Sequence, residues 1–136
     1  MVGLGLVVAE FNRSVTAEME SQARDVIDDA DAELVELLSV PGAYDSPLAA
    51  DRLARRDDID AVAVLGAIVT GDTDHDQVIA QSTATQLTQV SLDRDTPVTL
   101  GVSGPGMSGA EARERVENGA KAVESALELV DALEDV

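Results

Sequence analysis

One histidine, one phenylalanine and one tyrosine occur in the 136 residues, and each stands in a short polar stretch directly after an apolar run. His75 is the side chain able to exchange protons near neutral pH without a large shift of its pKa. Its segment, Gly71-Asp72-Thr73-Asp74-His75-Asp76, equally supplies groups that cap a helix start. Phe11, in Glu10-Phe11-Asn12, either anchors its loop in the core or offers a flat face to a planar heterocycle. Tyr44 presents the same two options after the Pro41-Gly42 turn, where glycine lets backbone approach a ligand closely. The aspartates at 72, 74 and 76 fail as a calcium loop. Gln77 and Thr83 stand where such a loop starting at Asp72 needs glycine and glutamate.

A fourth stretch, Gly104-Pro105-Gly106-Met107-Ser108-Gly109, matches G-x-G-x-x-G. A dinucleotide fingerprint would need a further strand after the next helix, and none follows. A glycine-rich turn feeding a helix N-terminus still directs N–H groups at an anion, and Arg115 on that expected helix adds a forked donor for phosphate. Arg115 is equally an i,i+4 partner for Glu111.

The elements that must position these groups follow from hydrophobic periodicity. Apolar runs at Gly3–Val8, Glu33–Val40, Ala61–Ile68 and Val98–Ser103 read as strands. The third, AVAVLGAI, is nearly all apolar, as expected of a strand covered on both faces. Helical spacing marks Ser14–Asp29, Pro47–Arg55, Asp76–Leu92 and Ala110–Leu133. In the last of these, Val116, Ala120, Val123, Leu127 and Val130 form the stripe. Such β-α alternation predicts a four-stranded parallel sheet with helices on both faces, an α/β three-layer sandwich of flavodoxin-like type. Residues 1–136 are expected to form one domain. The unusual segments all follow strands, so they should share the carboxyl edge of the sheet, where ligands bind in open α/β folds.

Composition narrows the function classes. Twenty-seven acidic residues face nine basic ones, a net charge of -18, and Lys121 is the single lysine. Such a surface repels phosphate backbones and anionic bilayers, so neither nucleic acid nor membrane is an expected partner. Dense carboxylates with scarce lysine fit a salty cytoplasm, where screening suppresses self-repulsion. Without cysteine there is neither a disulfide nor a thiolate metal site. With no tryptophan and 45% hydrophobic residues, the core must be built from Val, Leu, Ile and Ala.

Taken together, VVAEFNR (7–13), VPGAYDSP (40–47), GAIVTGDTDHDQV (66–78) and GVSGPGMSGAEARERVENG (101–119) resemble the lumazine synthase family, the last in its archaeal form. The resemblance implies that Phe11 stacks on a pyrimidine, and that Ala43, Tyr44 and Asp45 hold a ribityl chain. It further implies that backbone groups of Ala67, Ile68 and Val69 bind the uracil edge. Asp72 and Thr73 would receive a phosphate-bearing substrate, with His75 as proton donor and Arg115 as phosphate ligand. Leu100 matches a position, often phenylalanine, that enters the site from a neighbouring subunit. Tyr44 and Asp45 stand where many members have Phe and Glu. Asn118 stands where many bacterial members carry lysine.

The implied reaction joins 5-amino-6-ribitylaminouracil to 3,4-dihydroxy-2-butanone 4-phosphate. The substrate amine attacks the ketone, an imine forms, phosphate leaves and the ring closes to 6,7-dimethyl-8-ribityllumazine. No cofactor, metal or enzyme lysine is called for. The family assembles as pentamers, some as shells of twelve pentamers, with sites between subunits. Two other readings compete: a shell protein without catalysis, and a flavin- or nucleotide-binding domain that would use the GPGMSG turn but not His75.

Overall fold

The computed structural model describes residues 1–71 and 73–136. Four strands, β1 (Val2–Ala9), β2 (Ala32–Val40), β3 (Ala61–Val69) and β4 (Val98–Met107), pair in parallel in the order β2-β1-β3-β4. Helices α1 (Arg13–Asp29) and α5 (Asn118–Leu133) cover one face, and α2 (Ser46–Ala54) and α3 (His75–Arg94) the other. A short helix, α4 (Gly109–Arg113), follows β4. This is the expected three-layer α/β sandwich of flavodoxin-like order.

The apolar run of β3 shows why the layers form. Successive side chains of a strand point to opposite faces. Ala61, Ala63, Leu65 and Ala67 therefore join Leu4, Leu6 and Val8 of β1 under α1 and α5. Val62 and Val64 join Val7 under Ala50, Leu53 and Leu87 of α2 and α3. Both faces need apolar cover, and burying each Val or Leu contributes roughly 1.5–3 kcal/mol. The α1–α5 layer is tight: a β-carbon on Gly119 would lie 2.4 Å from the Met19 carbonyl oxygen. Among the described residues no helix is long and apolar enough to cross a membrane.

Two expectations need correction. The helix expected over Ala110–Leu133 is two helices, with residues 114–117 in turns between α4 and α5. Ser103 of β4 donates its hydroxyl to the Arg115 carbonyl at 3.3 Å, and Asn118 Nδ2 donates to Ser103 Oγ at 3.0 Å. The Arg115 carbonyl also accepts the Asn118 N–H at 3.0 Å and the Val116 carbonyl the Gly119 N–H at 3.1 Å, three-residue bonds in place of the four-residue ladder of a continuous helix. The stripe read from the sequence is also off-centre, since the buried face of α5 is Gly119, Ala122, Val123 and Ala126.

The second correction concerns β4, which runs on to Met107 through the glycine-rich segment. Ala67 pairs with Ser103 and Val69 with Met107, so Ile68 alone faces Gly104, Pro105 and Gly106. The segment is a bulge in the ladder. Its left-handed Gly104 and Gly106, at φ 102° and 78°, adopt a backbone that glycine tolerates.

Candidate active site

The carboxyl ends of β1 and β2 continue their ladder by two bonds after β1 ends. Glu10 N–H donates to the Val40 carbonyl at 2.7 Å and Phe11 N–H to the Pro41 carbonyl at 2.9 Å. These bonds lay the Phe11 turn beside the Tyr44 turn. The chain then reverses at Asn12, which is left-handed at φ 62°, a conformation asparagine tolerates better than most residues. Asn12 Nδ2 donates to the Ala67 carbonyl at 3.3 Å and ties the β1 loop to the end of β3.

The Tyr44 turn is a 3₁₀ turn over Ala43–Asp45 held from two directions. Two buried hydroxyls converge on the Ala43 carbonyl, Ser46 Oγ at 2.7 Å and, from α3, Thr83 Oγ1 at 3.4 Å. Asp45 Oδ2 accepts the Gly42 N–H at 3.0 Å, closing the turn with one carboxylate oxygen. The exposed Tyr44 side chain projects from this fixed base.

Phe11 and Tyr44 are each 62% exposed. Neither aromatic is an anchor in the core, although burying a Phe ring would contribute roughly 1.5–3 kcal/mol. Both line one open cavity of about 350 Å³ with Ala43, Ala67, Ile68, Val69 and His75, a volume in the range of small-ligand sites. His75 is the first residue of α3 and exposed, and its backbone N–H donates to Thr73 Oγ1 at 3.3 Å. An aromatic pair, a strand end with backbone groups and a titratable imidazole thus surround one space. The arrangement suits a flat heterocycle and a proton transfer beside it.

Of the residues expected in a site, Phe11, Ala43, Tyr44, Ala67, Ile68, Val69 and His75 line this cavity. Asp45 and Thr73 stand in its flanking turns. Asp72 lies outside the described residues. Leu100 and Arg115 are exposed on the β4 side of the molecule and do not line the cavity of their own chain. The Pro41-Gly42 turn also lines it, as its glycine allowed, and Gly71, Asp76 and Ile79 line it without having been singled out for binding. For Asn12, the asparagine after a strand was the available signal.

The expected anion cradle at Gly104–Gly109 is not what the segment forms. Ser108 Oγ accepts the Glu111 N–H at 3.1 Å, and Glu111 Oε1 accepts the Ser108 N–H at 3.2 Å. This capping box fills the start of α4 with the chain's own carboxylate. Glu111 turns back to Ser108 rather than forward to Arg115, which lies beyond the helix.

The family model for 6,7-dimethyl-8-ribityllumazine synthase matches residues 2–134. The chain belongs to the lumazine synthase family. It is 75% identical over 133 residues to the 6,7-dimethyl-8-ribityllumazine synthase of Halobacterium salinarum, spanning 98% of this chain and all of that protein. Identity is 72% over 134 residues to the enzyme of that name from Halorubrum lacusprofundi, again 98% of this chain and all of that protein. With the Methanosarcina barkeri protein it is 48% over 129 residues, 95% of this chain and 96% of that one. Two of these lumazine synthases come from halophilic archaea, in keeping with the surplus of carboxylates here.

Proposed function

We propose that the chain catalyses the lumazine synthase reaction in the cavity at the carboxyl edge of its sheet. The condensation joins 5-amino-6-ribitylaminouracil to 3,4-dihydroxy-2-butanone 4-phosphate, forming an imine with loss of water, releasing phosphate, and closing the second ring through the ribitylamino nitrogen with loss of a second water. The observation that carries this reading is the shared cavity of Phe11, Tyr44, Ala67–Val69 and His75 in a member of this family.

Phe11 stacks on the pyrimidine, while the main chain of Ala67, Ile68 and Val69 meets the polar edge of the uracil. Ala43, Tyr44 and Asp45 hold the ribityl chain, Asp45 through the oxygen its own turn leaves open. Thr73, with Asp72, receives the phosphate-bearing substrate, and His75 moves protons during imine formation and elimination. The amine nucleophile and the ketone both come from substrate, so catalysis rests mainly on holding them together. Proximity supplies up to roughly 7–11 kcal/mol, against about 3–5 kcal/mol for acid–base help of 10²–10⁴-fold.

Leu100 and Arg115 act in the cavity of a neighbouring copy, which explains their place on the β4 side. A ring of five copies gives each cavity such a neighbour, and a shell of sixty is the larger assembly of the same contact. In a chain this acidic, an arginine supplied at the open mouth gives the phosphate its local counter-charge.

Mixing the protein with both substrates at high salt should produce lumazine fluorescence. Its absence in folded, oligomeric protein removes the proposal. Sedimentation should give a pentamer or larger, and an active monomer would remove the roles of Leu100 and Arg115.

A further inference from the structure

Asp76 is a carboxylate 7% exposed that lines the cavity beside His75. Its Oδ2 accepts the Gly106 N–H at 3.1 Å, a contact across thirty residues of sequence. The bulge explains why this bond is needed. Three residues of β4 face one of β3, so the ladder leaves bulge donors unmatched. Asp76 takes one of them from the first turn of α3, where a negative charge is also favoured by the helix dipole.

Thr70 N–H donates to the Met107 carbonyl at 2.7 Å, fastening the far side of the bulge to the loop that leads to His75. On the near side a β-carbon at Gly104 would lie 2.0 Å from the Ile68 carbonyl oxygen, so the bulge is pressed against the cavity wall. At Gly106, by contrast, a β-carbon would meet nothing within 4 Å. Only the left-handed backbone, φ 78°, restricts that position.

We propose that Asp76 is a positioning residue: by holding the Gly104–Met107 bulge to the first turn of α3, it sets His75 against the Ile68–Val69 wall. The proposal rests on the cavity being the site of lumazine formation. The Phe11 and Tyr44 side of the cavity is fastened by other bonds, through Pro41 and through Ser46 and Thr83. Loss of Asp76 therefore reaches turnover before it reaches binding of the pyrimidine.

The test uses the assembled protein, with steady-state kinetics and amide hydrogen exchange on Asp76→Ala, Asp76→Asn and Gly106→Ala. Asp76→Ala should lower kcat about tenfold, in line with the sensitivity of positioned reactions to small displacements, and leave KM for the uracil substrate within about twofold. Exchange at the Gly106 amide should accelerate. Asparagine presents the same carbonyl-type acceptor to Gly106, so Asp76→Asn should keep kcat within about threefold of wild type. Gly106→Ala disturbs the same bond through φ alone and should reproduce the slow turnover if Asp76→Ala does not fold. The double variant should be no slower than the slower single one, because the two act through one contact.

Asp76→Ala with wild-type kcat overturns the proposal. So does an Asp76→Asn enzyme as slow as Asp76→Ala, which would place the charge of Asp76 in the reaction itself. Unchanged exchange at Gly106 in Asp76→Ala overturns it as well, because the hold on the bulge is the means by which Asp76 acts. A wild-type protein that forms no lumazine removes the reading of the cavity, and the positioning role with it.

Discussion

At the amino ends of the strands, Asp51 accepts from Arg55 and Arg94, binding α2 to α3, while Arg56 pairs with Asp58 and Glu36. Gly3 and Asp60 close that end further, the Gly3 N–H donating to Asp60 Oδ2 at 2.8 Å and the Asp60 N–H to the Gly3 carbonyl at 2.7 Å. At the carboxyl ends, both aromatics of the chain stand in solvent, Asn12 is left-handed, and a bulge interrupts the ladder. One end is tied by ion pairs and hydrogen bonds between its own elements. The other leaves apolar rings and an imidazole around an open space, an arrangement that favours ligand binding over the stability of the isolated chain.

The comparison predicts that substitutions at the two ends separate cleanly in their effects. The largest expected change is His75→Ala, which should slow kcat by about 10²-fold without abolishing turnover, given the usual reach of acid–base catalysis. Its melting temperature should stay at the wild-type value, because the side chain is exposed. An inert His75→Ala enzyme would contradict the view that positioning dominates.

Phe11→Ala should raise KM for the uracil substrate about tenfold, the equivalent of the upper range for an aromatic stacking pair, near 1.5 kcal/mol. Here too thermal unfolding should be unchanged, and a clear loss of stability would mean that the ring anchors its loop after all. Arg115→Ala should weaken the phosphate substrate by a similar factor and leave the uracil KM alone. That split, measured with each substrate varied in turn, sharpens the assignment of the two sides of the cavity.

The smallest effect belongs to the amino end. Asp51→Asn should reduce stability by about 1 kcal/mol, as a partly accessible ion-pair network contributes little more, with kcat and both KM values untouched. The Arg94 guanidinium, and then Arg55, hold the Asp51 carboxyl below its usual value. A depressed carboxylate stabilises the fold above its unfolded-state pKa and loses that contribution on protonation. Acid unfolding of the wild type should therefore lose this increment as pH falls below about 4, and Asp51→Asn should show no such loss in that window.

Much of the site was readable because its residues are rare types in segments next to apolar runs. Phe11, Tyr44 and His75 could be placed on one edge once the strands were placed, since parallel strands with helical crossovers bring alternate loops together. Leu100 came only through the family resemblance, as nothing in its local spacing marks a ligand, whereas Arg115 was readable as a forked anion donor but not as one lying away from the cavity of its own chain. Asp76 was readable as a helix-start residue and not as a partner of Gly106, because the bond joins segments whose proximity depends on the sheet register.

Periodicity and residue type, both local properties, determined the element order, the α/β layering, the doubly covered β3 and the edge that carries the chemistry. The tertiary structure decided whether each ring lay in core or cavity, that Gly104–Gly106 bulges instead of cradling an anion, and that the last helix breaks after Arg113. In each of these, a contact distant in the chain overrides a pattern that neighbouring residues leave ambiguous. The apolar spacing of Val116 and Ala120 continues across the break, and the three-residue backbone turns there, with Ser103 bonded to the Arg115 carbonyl, are visible only in the tertiary structure.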